Sequence, residues 1–330
     1  MTSAVNRLTL SYLSSKFMPQ TFVITGATSF IGKRLTLQLL SEGQRVFAVC
    51  RNQQKASSLL GQHEALTMVE ASLQEYDQLS QKIPQADVFI HLAWEGTGHD
   101  GRNMTEVQLA NIQHSKDALQ QAVLMGCQLF VEAGSQAEYG TQLDTITETT
   151  TCEPFSEYGK AKLEVCRHCF DVAEQTGIKY LHLRIFSLFG EDDHPWTLVM
   201  SSIDKMLKNE PVNLSSCTQN WNFLYIADAV RQISMLCQYA LQHRDFRHEV
   251  FNIASEDTRC LRDFVEEMHR LTCSQSVLNY GANPQQNTVS LQPDVTKLRD
   301  AIGFVSSTTF EDVIKKIIYT YQYQQNSNSL

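Results

Sequence analysis

The 330-residue sequence contains no apolar run approaching the roughly 20 residues needed to span a bilayer. Positive charge is in deficit: 27 Lys and Arg face 36 Asp and Glu, a formal net charge of -9. That balance argues against sequence-independent binding to nucleic acid or to an anionic membrane, and leaves only a local basic pocket for a phosphate. There is no cysteine framework. The nine cysteines are scattered, and an odd number cannot pair completely within one chain, which suits a reducing cytoplasm. Cys166 and Cys169 form a lone Cys-x-x-Cys with no further ligands at zinc-like spacing, so packed helix thiols are expected and no metal site. No secretory apolar segment opens the chain. Residues 1–17 carry Arg7 and Lys16, no acid and many Ser and Thr. That composition fits a weak organellar presequence or, as we read it, an extension (residues 1–20) before the first strand. Internal repeats and long linkers are also missing. With 42% hydrophobic and 19% charged residues, the chain is of ordinary globular composition and long enough for one large or two coupled domains.

What is present begins with Thr21-Phe22-Val23-Ile24, a short apolar β run. It feeds Thr25-Gly26-Ala27-Thr28-Ser29-Phe30-Ile31-Gly32, and a helix is expected from Lys33 to Ser41. Strand, glycine turn and helix N-terminus together make a pyrophosphate site, because free backbone N–H groups and the helix dipole face the anion. The second strand, Arg45 to Cys50, is followed by Arg51 and Asn52. An NAD-preferring site usually ends this strand with an acid that holds the ribose 2′-hydroxyl, and none stands here. Arg51, assisted by Lys33 or Arg34, suits a 2′-phosphate instead, so NADP(H) is favoured and NAD(H) is the alternative.

Farther along, Tyr158 and Lys162 sit four apart and share one helix face. A phenol beside an ammonium is a proton-transfer pair suited to an alcohol or a ketone. By itself Tyr-x-x-x-Lys is common on solvated helices. His91 lies inside the buried strand Asp87 to Ala93, where a packed, hydrogen-bonded histidine is expected rather than a catalyst.

Taken together, these segments resemble the extended short-chain dehydrogenase/reductase family of nucleotide-sugar epimerases, dehydratases and reductases. Gly26 and Gly32 match the first and third glycines of its Thr-Gly-x-x-Gly-x-x-Gly loop, and Ser29 replaces the second. The resemblance implies that Thr28, Phe30 and Ile31 of the loop, with Leu92 and Ala93 at the end of the fourth strand, line the cofactor site. Ser72 stands where relatives place an Asp near the adenine. Gly134-Ser135-Gln136-Ala137-Glu138-Tyr139-Gly140 resembles the Ser-Ser-x-x-x-Tyr-Gly signature, and Tyr158-Gly159-Lys160-Ala161-Lys162 the Tyr-Gly-x-x-Lys that follows it. Asn111, Ser135, Tyr158 and Lys162 then form a catalytic tetrad in family order. By resemblance, Tyr158 exchanges a proton with the sugar oxygen and Ser135 polarises it. Lys162 lowers the phenol pKa and holds the nicotinamide ribose, and Asn111 orders the lysine. The dehydratase branch carries acids directly after its Thr, and residues 136 and 137 are not acids.

Lys179 to Gly190 resembles one strand ending Arg-x-x-Asn-x-Tyr-Gly, with Ser187 in the Asn position that touches substrate. Trp221 stands where relatives have an Arg that holds the substrate diphosphate, so either another cation serves or Trp221 stacks on a base or sugar; simple packing is the rival reading. Gln136 completes the expected substrate contacts.

The implied fold is α/β: a Rossmann-type doubly wound parallel sheet with a smaller, discontinuous α/β substrate-binding domain. Its expected division is 21–187 and 227–256 for the NAD(P)-binding part, and 188–226 and 257–330 for the substrate part. A helix from Glu311 to Tyr321 closes the fold, with a polar tail from Gln324. The implied activity is hydride transfer at a carbon of a nucleotide sugar. A 4-ketosugar reductase, similar to the CDP-abequose-synthase-like branch, is favoured over a 4-epimerase with tightly bound NAD. A non-catalytic NADP-binding sensor or scaffold is the reading from another class. A cytoplasmic homodimer is expected, paired through the helices near 105–125 and 157–176, with Leu163, Cys166 and Phe170 either exposed for that contact or buried within the monomer.

Overall fold

The computed structural model describes residues 19–98, 100–283 and 289–327. The N-terminal extension expected at 1–17 lies outside them. Strand β1 (Thr21–Thr25) leads into α1 (Phe30–Ser41), β2 (Arg45–Cys50), α2 (Gln53–Leu60) and β3 (Leu66–Glu70). A 3-10 turn over Leu73–Gln78 and the short α3 (Leu79–Lys82) precede β4 (Val88–His91), α4 (Thr105–Leu124) and β5 (Leu129–Ser135). Next come α5 (Glu157–Thr176) and β6 (Lys179–Ile185). Helix α1 starts three residues before the expected Lys33. Ser29 is its N-cap and accepts a hydrogen bond from Gly32 N–H at 3.1 Å, a contact worth about 1 kcal/mol.

The rest of the chain runs β7 (Ser187–Phe189), α6 (Leu198–Leu207), β8 (Val212–Asn213), β9 (Asn220–Tyr225) and α7 (Ile226–Gln242). It finishes with β10 (His248–Ile253), β11 (Thr258–Cys260), α8 (Leu261–Leu271), β12 (Leu278–Asn279), α9 (Thr296–Ile302) and α10 (Phe310–Ser327). The seven-stranded sheet has the order β10-β6-β5-β4-β1-β2-β3, with every pairing parallel. Parallel strands covered on both faces read as continuous apolar runs, as β4 and β5 do. Alternation then sorts their side chains. Phe22, Ile24, Ile90, Val131 and Leu183 face α1 and α7, while Val23, Phe89, Phe130 and Tyr180 face α4 and α5. Thr25, His91, Glu132 and His182 continue that second register at the carboxyl end of the sheet. The strand order reverses between β1 and β4, which opens a crevice above their carboxyl ends.

The expected single strand from Lys179 to Gly190 is two strands. Phe186 N–H bonds Ile253 O at 3.0 Å, and there the partner strand β10 ends. The chain leaves the large sheet, and β7 pairs with β9 in a three-stranded sheet, β11-β9-β7. Phe189, Phe223, Phe264 and Phe310 pack there with ring centroids 4.8 to 5.7 Å apart. The last helix continues past the expected Tyr321 to Ser327, since nothing in Gln322 to Gln325 breaks a helix. Leu163 and Cys166 are buried within the chain. The apolar side chains that α4 leaves exposed are Leu109 and Leu124, 60% and 59% accessible. No helix among the described residues is long and apolar enough to cross a membrane.

Candidate active site

Two adjoining cavities occupy the crevice. The first, about 420 Å³, is lined by Gly26, Thr28, Ser29, Arg51, Lys55, Leu92 and Ala93 among others. Its floor depends on two glycines. Gly26 holds a φ of +67°, and a Cβ there would come within 2.9 Å of Ala93 N. A Cβ on Gly32 would lie 2.1 Å from Gly26 O, so helix α1 can approach β1 this closely only with glycine at 32. Gly32 therefore shapes the loop without lining the cavity. Because the Ser29 oxygen already accepts from Gly32 N–H, its own proton is left to donate outward. The glycine cradle and the helix N-terminus fit the pyrophosphate of a nicotinamide dinucleotide, with Arg51 just after β2 and Lys55 in the first turn of α2 on the cavity wall.

Two expected cofactor contacts are occupied by other partners. Ser72 N–H and Oγ both bond Glu75 Oε2 at 2.8 Å, so its side chain turns away while Ala71 and Leu73 line the wall. Lys33 and Arg34 bond Asp192 Oδ2 at 2.9 and 3.3 Å, and this pairing, Lys33 first, holds the Asp192 carboxyl below its usual range. They do not assist Arg51.

The second cavity, about 460 Å³, brings together Ser135, Gln136, Tyr158, Lys162 and Ser187, with Phe30 and Ile31 from the phosphate loop. It shares Ser29, Leu92 and Trp94 with the first. Ser135 ends β5 and caps the following turn; its oxygen accepts from Ala137 N–H at 3.2 Å, leaving its proton for the cavity. Ser156 caps α5, which fixes the turn that carries Tyr158. The edge of Trp94 packs against Tyr158 with centroids 5.9 Å apart, and Lys162 Nζ lies 3.4 Å from the centre of the Trp94 ring. Beneath the lysine, buried Glu132 accepts from Nζ at 3.2 Å. Burial pushes the Glu132 carboxyl up, and Lys162 opposes that rise.

Asn111 is not in this chamber. It is buried, with Oδ1 accepting from Glu95 N–H at 3.0 Å and Nδ2 donating to Glu95 O at 2.8 Å. It clamps the loop after β4, and Lys162 has Glu132 as its hydrogen-bond acceptor among the described residues. His91 is packed and bonded: Nδ1 pairs with Thr25 Oγ1 at 2.8 Å and Nε2 with Ser115 Oγ at 3.1 Å. Burial, then nearby Lys162, pulls its pKa down to about 3, so the ring stays neutral.

Under Ser135 lies a buried ionic ladder that the motifs did not reveal. Glu138 Oε1 accepts from Ser135 N–H at 2.7 Å, and Oε2 accepts from Arg184 Nε at 2.9 Å. His182 Nε2 lies 2.9 Å from both oxygens. Burial raises the Glu138 pKa, but His182 and Arg184 overcome it and bring the group down to about 2. Burial lowers His182, while Cys166 and Glu138 reverse that and raise it to about 10. Glu138, Cys166 and His182 place ligand-type atoms within 4.8 Å of one another. Arg184 and Ser135 already fill the carboxylate's remaining contacts, so the group reads as an ion pair. A Cβ on Gly134 would meet His182 Nε2 at 2.3 Å and Glu138 Oε1 at 2.6 Å. The ladder thus accounts for Gly134 where the signature has Ser.

Trp221 lines a third, smaller hollow of about 260 Å³ with Phe155, Arg102 and Gln136. It therefore sits beside the chamber of Ser135 and Tyr158 and outside its wall. Sequence reasoning also missed Trp94, Arg102 and Glu132. None belongs to a spaced motif, and a lone acid in an apolar strand was the only visible signal.

The geometry can be set beside known proteins. The profile of the NAD dependent epimerase/dehydratase family matches residues 22–254. The dTDP-6-deoxy-L-talose 4-dehydrogenase (NAD(+)) of Aggregatibacter actinomycetemcomitans is 27% identical over 251 residues, 74% of this chain and 88% of its own. A CDP-abequose synthase of Salmonella muenchen is 22% identical over 303 residues, 90% and 96% of the two chains. Among solved structures, the UDP-N-acetylglucosamine 4-epimerase of Methanobrevibacter ruminantium M1, in complex with UDP-N-acetylmuramic acid, superposes with a TM-score of 0.81. It is 19% identical and covers 93% of this chain and all of its own, so that likeness speaks to the fold. With the profile spanning well over half of the sequence and the same architecture around the crevice, the chain belongs to the NAD dependent epimerase/dehydratase family, a group of extended short-chain dehydrogenase/reductases.

Proposed function

We propose that the protein is an NADP(H)-dependent reductase acting on a 4-keto sugar carried by a nucleotide. The observation that carries this reading is the end of β2. Arg51 and Lys55 line the first cavity where an NAD-preferring site would place an acid, and Glu70 on β3 is turned onto Gln53 N–H. When bound, a nicotinamide cofactor supplies the hydride. Tyr158 gives its phenolic proton to the oxygen of the reacting carbon, and Ser135 donates a hydrogen bond to the same oxygen as charge develops there. Lys162, held by Glu132 and Trp94, lies one helical turn from the phenol on the same face of α5. Segments 188–226 and 257–330 form the substrate-binding part, with Ser187 reaching the chamber. A copy of the chain pairs along α4 and α5, whose shared hollow of about 610 Å³ is lined by Leu109, Ile112 and Ala161.

The second reading, a nucleotide-sugar 4-epimerase holding NAD, has the NAD of the family's description in its favour. Incubation with NADPH and a series of nucleotide 4-keto sugars separates the two. The reductase reading predicts stoichiometric NADPH consumption, lost at least 100-fold in Tyr158→Phe while NADPH still binds. Interconversion of two 4-hydroxy nucleotide sugars without added NADPH would overturn it.

A further inference from the structure

Lys162 and Arg102 are the Lys and Arg residues that line the second and third cavities, and they can be set against the neighbouring cations by whether a carboxylate already neutralises each. Lys162 is paired with Glu132, Arg184 with Glu138, and Lys33 and Arg34 with Asp192. Arg259, which pairs across the strands with Trp221, is bonded to Asp257 and Glu267. Arg102 differs from all of these. It lines both cavities, beside Tyr158 in one and beside Trp221 and Phe155 in the other, and among the described residues no carboxylate lies within ion-pair distance of it.

Its position is fixed by the backbone. Arg102 O accepts from Tyr158 N–H at 2.9 Å, and Asn103 Oδ1 accepts from Glu157 N–H at 3.3 Å, so the loop is stitched to the first turn of α5. Gln108 Nε2 donates to Gly101 O at 2.9 Å from the other side. A Cβ on Gly101 would lie 2.4 Å from Gly96 Cα, so the loop is pinched shut at two glycines. The guanidinium rests on the Tyr158 ring, 4.5 Å from its centre, which leaves its edge donors for a ligand. An unpaired, preorganised guanidinium between a proton-transfer chamber and an aromatic hollow matches a ligand with an anionic middle.

We propose that Arg102 holds the diphosphate of a nucleoside-diphosphate substrate, with the sugar toward Tyr158 and Ser135 and the base toward Trp221 and Phe155. This inference rests on the nucleotide-sugar reading of the site and names the cation that serves where Trp221 replaces an arginine.

The test is calorimetric titration of the full chain with UDP, CDP and dTDP and with the matching unphosphorylated nucleosides, for wild type, Arg102→Ala and Arg102→Lys. At least one nucleoside diphosphate should bind wild type and lose about 10- to 100-fold in affinity in R102A, the range of a charge-assisted bidentate contact. R102K should recover part of the loss, as a point charge does. Affinity for the nucleoside should be the same in all three proteins, which also serves as the control for folding. Raising the salt concentration should narrow the gap between wild type and R102A. Equal nucleoside-diphosphate affinity in wild type and R102A overturns the assignment of Arg102 and leaves the nucleotide-sugar reading intact. Failure of wild type to bind any of the three diphosphates overturns both. A loss in R102A equal for diphosphate and nucleoside makes the residue structural and also overturns the assignment.

Discussion

Replacing Glu138 with Gln keeps the shape of the buried ladder and removes its one negative charge. In the wild type, His182 is raised from 6.5 to about 10 against the cost of burial, by Cys166 and Glu138. Such a group stabilises the fold fully below pH 6.5, and that contribution is lost as pH rises toward 10. At about 1.4 kcal/mol for each tenfold change in proton affinity, the rise corresponds to roughly 5 kcal/mol. The depression of Glu138 to about 2 contains the same His182–Glu138 attraction, beside Arg184 and the Ser135 N–H, so the two are not added. It gives the acid limb: stability present above pH 4.5 and lost as pH falls toward 2. In E138Q, His182 loses one of the two partners that raise it and Arg184 exchanges a carboxylate for a neutral amide, so we expect a deficit of about 3 kcal/mol or more at pH 6. The assay is urea unfolding of both proteins at pH 6, 8 and 9.5. The difference between them should shrink by at least about 2 kcal/mol from pH 6 to 9.5, because the wild type has more of this charge to lose. A gap that stays constant or widens over that interval would refute the ionic ladder.

Three further outcomes follow from named contacts. Gly32→Ala forces a Cβ against the backbone of Gly26, and should cost about 1–3 kcal/mol in thermal unfolding and at least tenfold in NADPH affinity. Arg51→Ala should weaken NADPH binding by about 10- to 100-fold and leave NADH unchanged, as read by nucleotide fluorescence titration. Leu109→Glu places a charge on the exposed apolar face of α4, and light scattering after size exclusion should show a shift from dimer to monomer.

The large sheet was legible because parallel strands buried on both faces leave unbroken apolar runs, and Val23-Ile24, Phe89-Ile90 and Phe130-Val131 are such runs. The chamber was legible in part because Ser135, Tyr158 and Lys162 sit at signature spacings. What was not legible has two causes. Some contacts span too much chain to leave a local mark: Lys33 and Arg34 meet Asp192 across the crevice, and nothing near either segment announces it. Others did leave a mark. Ser72-Leu73-Gln74-Glu75 and Ser135-Gln136-Ala137-Glu138 both carry the Ser-x-x-Glu spacing of a capping box, which assigns Glu75 and Glu138 to the backbone of their own turns. His182 and Arg184 alternate on one face of a buried strand, a pattern that requires an acidic partner. By resemblance Asn111 orders the lysine through backbone and water; its side chain is bonded to the Glu95 backbone, and the direct partner of Lys162, Glu132 on β5, was not legible.

The central claim is that the first cavity binds NADP(H) through Arg51. It is tested most directly by titrating the purified protein with NADPH and with NADH, after assaying it for nucleotide retained through purification. NADPH binding at least tenfold tighter than NADH, with no retained NAD, is the predicted result. Retained NAD, or a preference for NADH, would contradict it and move the assignment to an epimerase.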